Sequence, residues 1–251
     1  MVFPPHGRTR GILRNMLGAF YAGAILPLRD FIYPPVCLTC DSMLSGEEVK
    51  VCSRCWDGMP RIGASHPVWA ELGARVREEG VLRDFLSCYL FEQEGTLHEI
   101  VHLMKYGGMT TIGELLGREV GKRIAETPEF VTADWLIPVP LYKLKKRERG
   151  YNQAEFICRG ISRETRIPIR GSLLLRQRYT ESQTGLDRDR RRENVSGAFV
   201  INPDDRPALE GRSFILVDDV ITTGSTVNAC ARELMDHGAE RVFAASAALA
   251  A

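Results

Sequence analysis

The sequence predicts an α/β fold: a mostly parallel sheet covered by helices on both faces, with a small metal-stapled module near the N-terminus. Three observations predict it. From about Val81 onward, apolar strand-like runs alternate with segments of helical period. The apolar run Ser213–Val217 leads through two acidic residues into a hydroxyl-rich turn and a helical segment. Four cysteines stand as two C-x-x-C pairs, Cys37/Cys40 and Cys52/Cys55.

Composition sets the outer limits. The chain has 251 residues, 44% of them apolar and 26% charged, which is ordinary for a globule. That excludes a wholly disordered chain and a multi-span membrane protein. Lys plus Arg is 33 and Asp plus Glu is 32, for a net charge of +1. So even a balance gives no global attraction to nucleic acid or acidic lipid, and any electrostatic footprint is local.

Residues 1–36 form a leader, with Pro4-Pro5 at one end and Pro34-Pro35 at the other. Between them Leu13, Met16, Leu17, Phe20, Ala24 and Leu28 recur at helical spacing. A secretory signal competes with this helix: Arg8, Arg10 and Arg14 precede the uncharged stretch, and Ala22-Gly23-Ala24 resembles a cleavage site. The stretch is too short to span a bilayer. The cysteines weigh against secretion, because an odd count of seven in this pattern is not a disulfide framework. It reads as one metal site plus three buried thiols, Cys88, Cys158 and Cys230, in the reducing cytoplasm.

Residues 37–60 form the cysteine module. Two C-x-x-C knuckles, eleven residues apart, place four thiolates on a tetrahedron around one zinc ion. The ion replaces the core that so short a segment cannot build, so binding supplies folding energy. Ser45 and Gly46 suit a ribbon turn. A redox role would need a C-x-x-C opening a helix after a strand, and Pro34-Pro35 argues against that. Residues 61–80 read as a connecting stretch with a short helix.

The remainder, residues 81–251, carries the alternation. Strands are expected at 81–91, 135–139, 213–217 and 241–249. Helices are expected at 96–105, 111–125, 152–163 and 225–237, the last closed by Gly238.

The most informative segment runs from Phe214 to Thr226. The strand fixes the turn at the carboxyl edge of a parallel sheet, where ligands dock. Thr222, Thr223, Ser225 and Thr226 supply hydroxyls, and Gly224 lets the backbone approach an anion. The following helix directs free N–H groups and its positive dipole end at that anion. Asp218 and Asp219 can accept hydrogen bonds from sugar hydroxyls or help hold a hydrated metal ion. A plain capped helix accounts for the hydroxyls but not for two adjacent acids. The turn is no Walker loop, since no Gly-Lys-Ser/Thr follows.

This segment resembles the phosphoribosyl pyrophosphate (PRPP) motif of type I phosphoribosyltransferases. With the cysteine module, Lys105-Tyr106-Gly107-Gly108, Ile137-Pro138-Val139-Pro140 and Arg149-Gly150-Tyr151-Asn152-Gln153-Ala154, the chain from Phe31 onward resembles the ComF family. The resemblance implies a Rossmann-like phosphoribosyltransferase core with a zinc ribbon module, and a role in DNA uptake during natural competence. By it Asp218 and Asp219 contact the ribose hydroxyls as catalytic and PRPP-binding residues. Thr222, Thr223, Gly224, Ser225 and Thr226 cradle the 5′-phosphate, Pro138 and Val139 lie by the pyrophosphate, and magnesium accompanies PRPP. Lys143 to Gly150 would be a mobile loop over the site. The implied reaction is that of a pentosyl-class glycosyltransferase, displacing pyrophosphate from C1 of the ribose. Members are often described as amidophosphoribosyltransferase-like, yet the chain shows no N-terminal nucleophilic cysteine of the glutamine-hydrolysing kind. Ammonia from glutamine is therefore not the expected nucleophile, and the acceptor stays open.

Two basic segments stand out on a neutral chain. Residues 141–150 carry Lys143, Lys145, Lys146, Arg147 and Arg149 against Glu148, for a net +4. Residues 170–194 carry seven arginines against four acids. Tyr142, Tyr151 and Tyr179 are interleaved. Such a pattern suits the pyrophosphate of PRPP; it also suits single-stranded DNA, and the plain alternative is a solvated face. The competing function is thus a non-catalytic protein binding single-stranded DNA or a competence helicase on the same scaffold. His98-Glu99-Ile100-Val101-His102 spells a zinc-protease motif, but no third-ligand pattern follows. The expected reading is a helix with Leu97, Ile100, Val101 and Met104 inward and His98 and Glu99 in solvent.

Overall fold

A computed structural model describes residues 35–46, 48–177 and 197–250. The expected leader helix, and Tyr179 with most arginines of the second basic segment, lie outside the described residues. The chain forms two compact units, one ending at Asp57 and one running from Gly58 to Ala251.

In the first unit the knuckles are held by short-range bonds. Bridges Val36–Met43 and Val49–Val51 pin the two turns, and Glu48 accepts from the amides of Ser45 and Ser53. Those bonds hold the Glu48 carboxyl down, at about 2. A short helix, α1 (Ser53–Asp57), follows the second knuckle.

The second unit is the expected parallel sheet. Strands β1 (Asp84–Phe91), β2 (Trp135–Pro138), β5 (Ser213–Ile221) and β6 (Arg241–Ala250) lie in the order β1-β6-β5-β2, every pair parallel. The central strands read as continuous apolar runs because both their faces are covered: Phe214, Ile215, Leu216 and Val217 are fully buried, as are Val242 to Ala245. Two short antiparallel strands, β3 (Leu174–Arg176) and β4 (Phe199–Ile201), form a separate ribbon that the sequence reading missed. At three residues each they carry no period to detect.

The helices are α2 (Pro67–Glu79), α3 (Thr96–Tyr106), α4 (Thr110–Ala125), α5 (Lys143–Arg149), α6 (Gln153–Thr165) and α7 (Ser225–Asp236). Within residues 61–80, expected to connect, α2 is a full helix in this unit's core. His66 Nδ1 caps it by accepting from Val68 N, and Gly80 closes it at φ +64°. Leu72 and Val76 are buried with Phe85, and the Trp69 and Phe85 rings lie 4.7 Å apart. The segment 143–149, expected as a loop, is the helix α5, closed by Gly150 in the left-handed region. Its Lys- and Arg-rich composition carries good helix propensity, which the reading from charge alone passed over.

Helices α4 and α6 pack unusually closely. Gly113, Gly117 and Gly121 recur every four residues on one face of α4, and a Cβ on Gly117 would stand 2.1 Å from the Ile157 carbonyl oxygen. Opposite, a Cβ on Gly160 would stand 2.2 Å from the Glu114 carbonyl. Backbone meets backbone there, so only glycine fits. The three other cysteines are buried thiols as expected, and burial pushes Cys88 up to about 11.

Candidate functional site

Strand β5 builds the site. It runs four residues beyond the expected Val217, so Asp218 and Asp219 lie within the strand. Polar side chains ended the apolar run in the sequence, but pairing with β6 continues through Asp218–Ser246 to Ile221–Leu249. Each carboxylate accepts from the next amide: Asp218 Oδ1 from Asp219 N and Asp219 Oδ1 from Val220 N, both at 2.9 Å.

The two acids are electrically unequal. Asp219 lies 2.9 Å from the ammonium of Lys105, at the end of α3, with 13% of its side chain exposed. Burial pushes its carboxyl up, but Lys105 overrides that and holds it below the usual range. Among the described residues Asp218 has no such ion pair. Burial, then the neighbouring Asp219 charge, lift it to about 8. Near neutral pH the pair therefore carries one proton, an arrangement that like charges side by side enforce. Lys105 entered the sequence reading only as part of a family motif. The pairing could not be read there, because it joins segments far apart in the chain.

Beyond the acids the turn folds as expected. Gly224 adopts φ +79° and stands as N-cap of α7 without a side-chain cap. The first amides of α7 therefore have no intrahelical acceptor, and Ser225 N donates to Thr223 Oγ1 at 3.4 Å. Thr223 Oγ1 and Ser225 Oγ lie 3.0 Å apart across the turn. Residues Asp218 and Val220 to Val227 line a cavity of about 90 Å³. That is about the space of three waters, and its walls are hydroxyls and amides. All five predicted turn residues, with Asp218, meet here.

Pro138 and Val139 lie beside this strand end. Pro138 pairs with Val217, and Val139 N donates to Val217 O. Asn152 fixes the same loop: its Nδ2 donates to the Val139 carbonyl while its Oδ1 caps α6. This explains Asn152 in the Gly-Tyr-Asn-Gln run, a positioning role that the sequence motif alone does not state.

A cluster of cations faces the acids. Burial, then Arg149 and Arg176, depress Lys145, and Lys105 adds to the repulsion. Arg176 lies over the Phe199 ring and is depressed by burial while the Asp218 charge opposes that. Of the predicted basic residues, Lys145 and Arg149 are half-buried, while Lys143, Lys146 and Arg147 are exposed. Lys146 pairs with Glu155.

The cysteine module has a geometry that could hold a metal ion. The four Sγ atoms of Cys37, Cys40, Cys52 and Cys55 lie within 4.8 Å of one another, and Cys40 and Cys52 Sγ are 3.6 Å apart. Ligands about 2.3 Å from a tetrahedral zinc stand about 3.8 Å from each other, so the set fits. The Ser42 hydroxyl and amide lower Cys40 to about 5, with Arg54 Nη2 3.7 Å from its sulfur. Both features favour thiolate. Among the described residues this is the one group of three or more potential ligands close enough to hold an ion. The His98/His102 pair is not such a group: Leu97, Ile100, Val101 and Met104 are buried as expected, and Glu99 and His102 are exposed. His98 departs from expectation, half-buried with its ring 5.7 Å from Phe91.

Comparison with known proteins agrees with this architecture. Residues 171–250 match the phosphoribosyl transferase domain family and residues 28–88 the double zinc ribbon domain family. Competence protein F of Haemophilus influenzae is 39% identical over 118 residues, covering 46% of this chain and 50% of that protein. The DNA utilization protein YhgH of Escherichia coli K12 is 30% identical over 149 residues, covering 58% and 64%. Competence protein ComFC of Bacillus subtilis is 27% identical over 210 residues, covering 81% and 79%. The chain thus spans between half and two thirds of the first two relatives. Among solved structures, a Bacillus subtilis glutamine PRPP amidotransferase aligns with TM-score 0.36 and 23% identity, over 54% of this chain and 26% of that one. No helix among the described residues is long and apolar enough to cross a membrane. The chain is a homologue of competence protein F, ComFC and YhgH, with one segment that matches the phosphoribosyl transferase domain family and one that matches the double zinc ribbon domain family.

Proposed function

We propose that this protein binds PRPP with magnesium and transfers its phosphoribosyl group, in the service of DNA uptake. The observation that carries the proposal is the N-terminus of α7, opened by a left-handed Gly224 that has no side chain to cap it, beyond two unequal carboxylates on β5. In this reading Thr222 to Thr226 hold the 5′-phosphate, and Asp218 and Asp219 take the ribose hydroxyls. Pro138 and Val139 border the pyrophosphate, with the anion-binding cations Lys143, Lys145, Lys146, Arg147 and Arg149 on the α5 side.

The donor set fits magnesium, which favours one or two carboxylates plus substrate phosphates over an all-protein cage. The ion would neutralise charge on the leaving group. The acceptor's lone pair forms the new bond to C1 as the C1–O bond to pyrophosphate breaks. The bonding pair leaves with pyrophosphate, and the acceptor's proton passes to solvent. What the chain contributes is position and preset charge. Zinc, held by the four cysteines, is structural, because the set is already four-coordinate.

Calorimetry with PRPP and magnesium tests the pocket. Native protein should give heat of binding, and the Asp218→Asn/Asp219→Asn variant should lose at least about tenfold in affinity. No heat with native protein refutes the proposal. Pyrophosphate release then reports turnover. A second reading has its own observation: α5 presents three exposed cations in one short helix. If the protein instead binds single-stranded DNA there, or docks a helicase, reversing Lys143, Lys146 and Arg147 should abolish a salt-sensitive affinity.

A further inference from the structure

A second cavity adjoins the turn, between it and α2. It measures about 180 Å³, against about 90 Å³ for the cavity of the turn itself. That is about the space of six waters, room for a small metabolite. One face of α2 supplies Val68, Glu71, Leu72 and Arg75, at positions i, i+3, i+4 and i+7. The turn supplies Thr222 and Thr223, and Ala250 at the end of β6 completes the wall.

The wall has an apolar part and a charged part. Val68, Leu72 and Ala250 form the first, with Leu72 buried. The second is a matched pair: Arg75 Nη2 lies 3.2 Å from Glu71 Oε2, with side chains 28% and 72% exposed. A pair with one partner mostly in water contributes little by itself, so it can be exchanged. A zwitterion exchanges it and leaves neither charge alone. Its carboxylate takes the Arg75 guanidinium, and its ammonium takes Glu71. An amine alone gives Arg75 nothing, and a carboxylate alone gives Glu71 nothing.

We propose that this cavity is an effector site for a small zwitterion with an aliphatic tail, an α-amino acid of the leucine or valine kind. The tail lies on Val68, Leu72 and Ala250, and the charged ends meet Arg75 and Glu71. The site reaches the turn directly. Thr222 and Thr223 line both cavities, and a Cβ on Gly224 would stand 3.0 Å from Leu72 Cδ1. The hydroxyl protons set the sign of the coupling. The Thr223 and Ser225 hydroxyls, 3.0 Å apart, have one proton each. With both cavities filled, three bonds call on those two protons: one to the carboxylate, one to an anion in the turn, and one between the hydroxyls. One bond is lost, so each ligand weakens the other. This sign rests on the reading of the turn as a phosphate site; the amino-acid cavity does not.

Calorimetry on the full-length protein tests this with L-leucine, L-valine, 4-methylpentanoate (leucine without its ammonium) and 3-methylbutylamine (leucine without its carboxylate). At least one amino acid should bind native protein, about fivefold or more tighter than either analogue. Arg75→Gln should abolish that binding and leave the affinity for ribose 5-phosphate unchanged, which a variant that merely unsettled the fold would not. In native protein the amino acid should lower ribose 5-phosphate affinity about threefold or more, and ribose 5-phosphate should lower amino-acid affinity by the same factor. No heat from either amino acid, an affinity matched by either analogue, or binding that survives Arg75→Gln overturns the proposal. So does amino-acid binding that leaves ribose 5-phosphate affinity unchanged or raises it. Failure of ribose 5-phosphate to bind at all removes the sugar-phosphate reading and the effector role with it, while the amino-acid heat still decides the cavity.

Discussion

Replacing Lys105 by Met keeps most of the aliphatic stem and removes the ammonium that sits 2.9 Å from Asp219 Oδ2. The side chains are 24% and 13% exposed, so water screens the pair only in part. At an effective dielectric constant of 20, unit charges at this distance attract by about 6 kcal/mol. The pair's own desolvation offsets some of that, and breaking a buried pair costs about 3–5 kcal/mol. The cost should depend on pH, because Asp219 can relieve it by taking a proton. In the native protein the folded Asp219 pKa is depressed. Its contribution is present above the unfolded value near 4 and is lost only as pH falls through the folded value. In Lys105→Met, burial acts unopposed and the folded pKa rises above the unfolded one. Each pH unit between them then adds about 1.4 kcal/mol to the penalty. The loss should climb from about 1–2 kcal/mol near pH 5.5 to about 4 kcal/mol near pH 7.5. Native stability should itself decline as pH rises from about 4 toward 8, because folded Asp218, lifted to about 8, keeps a proton that the unfolded chain has released. Urea unfolding of both proteins at the two pH values measures the difference. An equal loss at both would mean that the lysine acts through its packed stem, and the argument from charge would fail.

Three further outcomes follow from the same structure. Chelation, or Cys52→Ser, should remove about one zinc per chain by elemental analysis and open residues 37–57 to protease; a metal-free protein of unchanged resistance would show that the thiols hold no structural ion. Gly224→Ala forces a Cβ to 3.0 Å from Leu72 Cδ1 at φ +79°. That strain of about 1–2 kcal/mol should distort the turn and weaken ribose 5-phosphate about tenfold by calorimetry, and unchanged affinity would place the phosphate elsewhere. Gly117→Ala drives a Cβ to 2.1 Å from the Ile157 carbonyl; the α4–α6 pair must separate, at about 3 kcal/mol or more. The melting temperature should then fall by about 6–12 °C, and a shift under about 2 °C would show that the helices move apart freely.

Much of this protein was written in short-range pattern. The two C-x-x-C knuckles fixed a four-thiolate site because their spacing is local, and the Sγ atoms do converge. Apolar runs and helical periods gave the parallel sheet, since each strand and helix buries its own face. The hydroxyl-rich turn was legible for the same reason: strand, hydroxyls, glycine and helix start lie within one continuous segment. Sequence also marked Asp218 and Asp219 as a pair, but it made them equals. Only the tertiary structure gave Asp219 a lysine and left Asp218 to hold a proton, because that difference depends on which distant residue arrives within 3 Å. The same holds for the glycine face of α4, whose purpose appears only against α6. A chain's local code specifies what its elements are. Charge state and close contact are properties of pairs, and pairs exist only once the elements have packed.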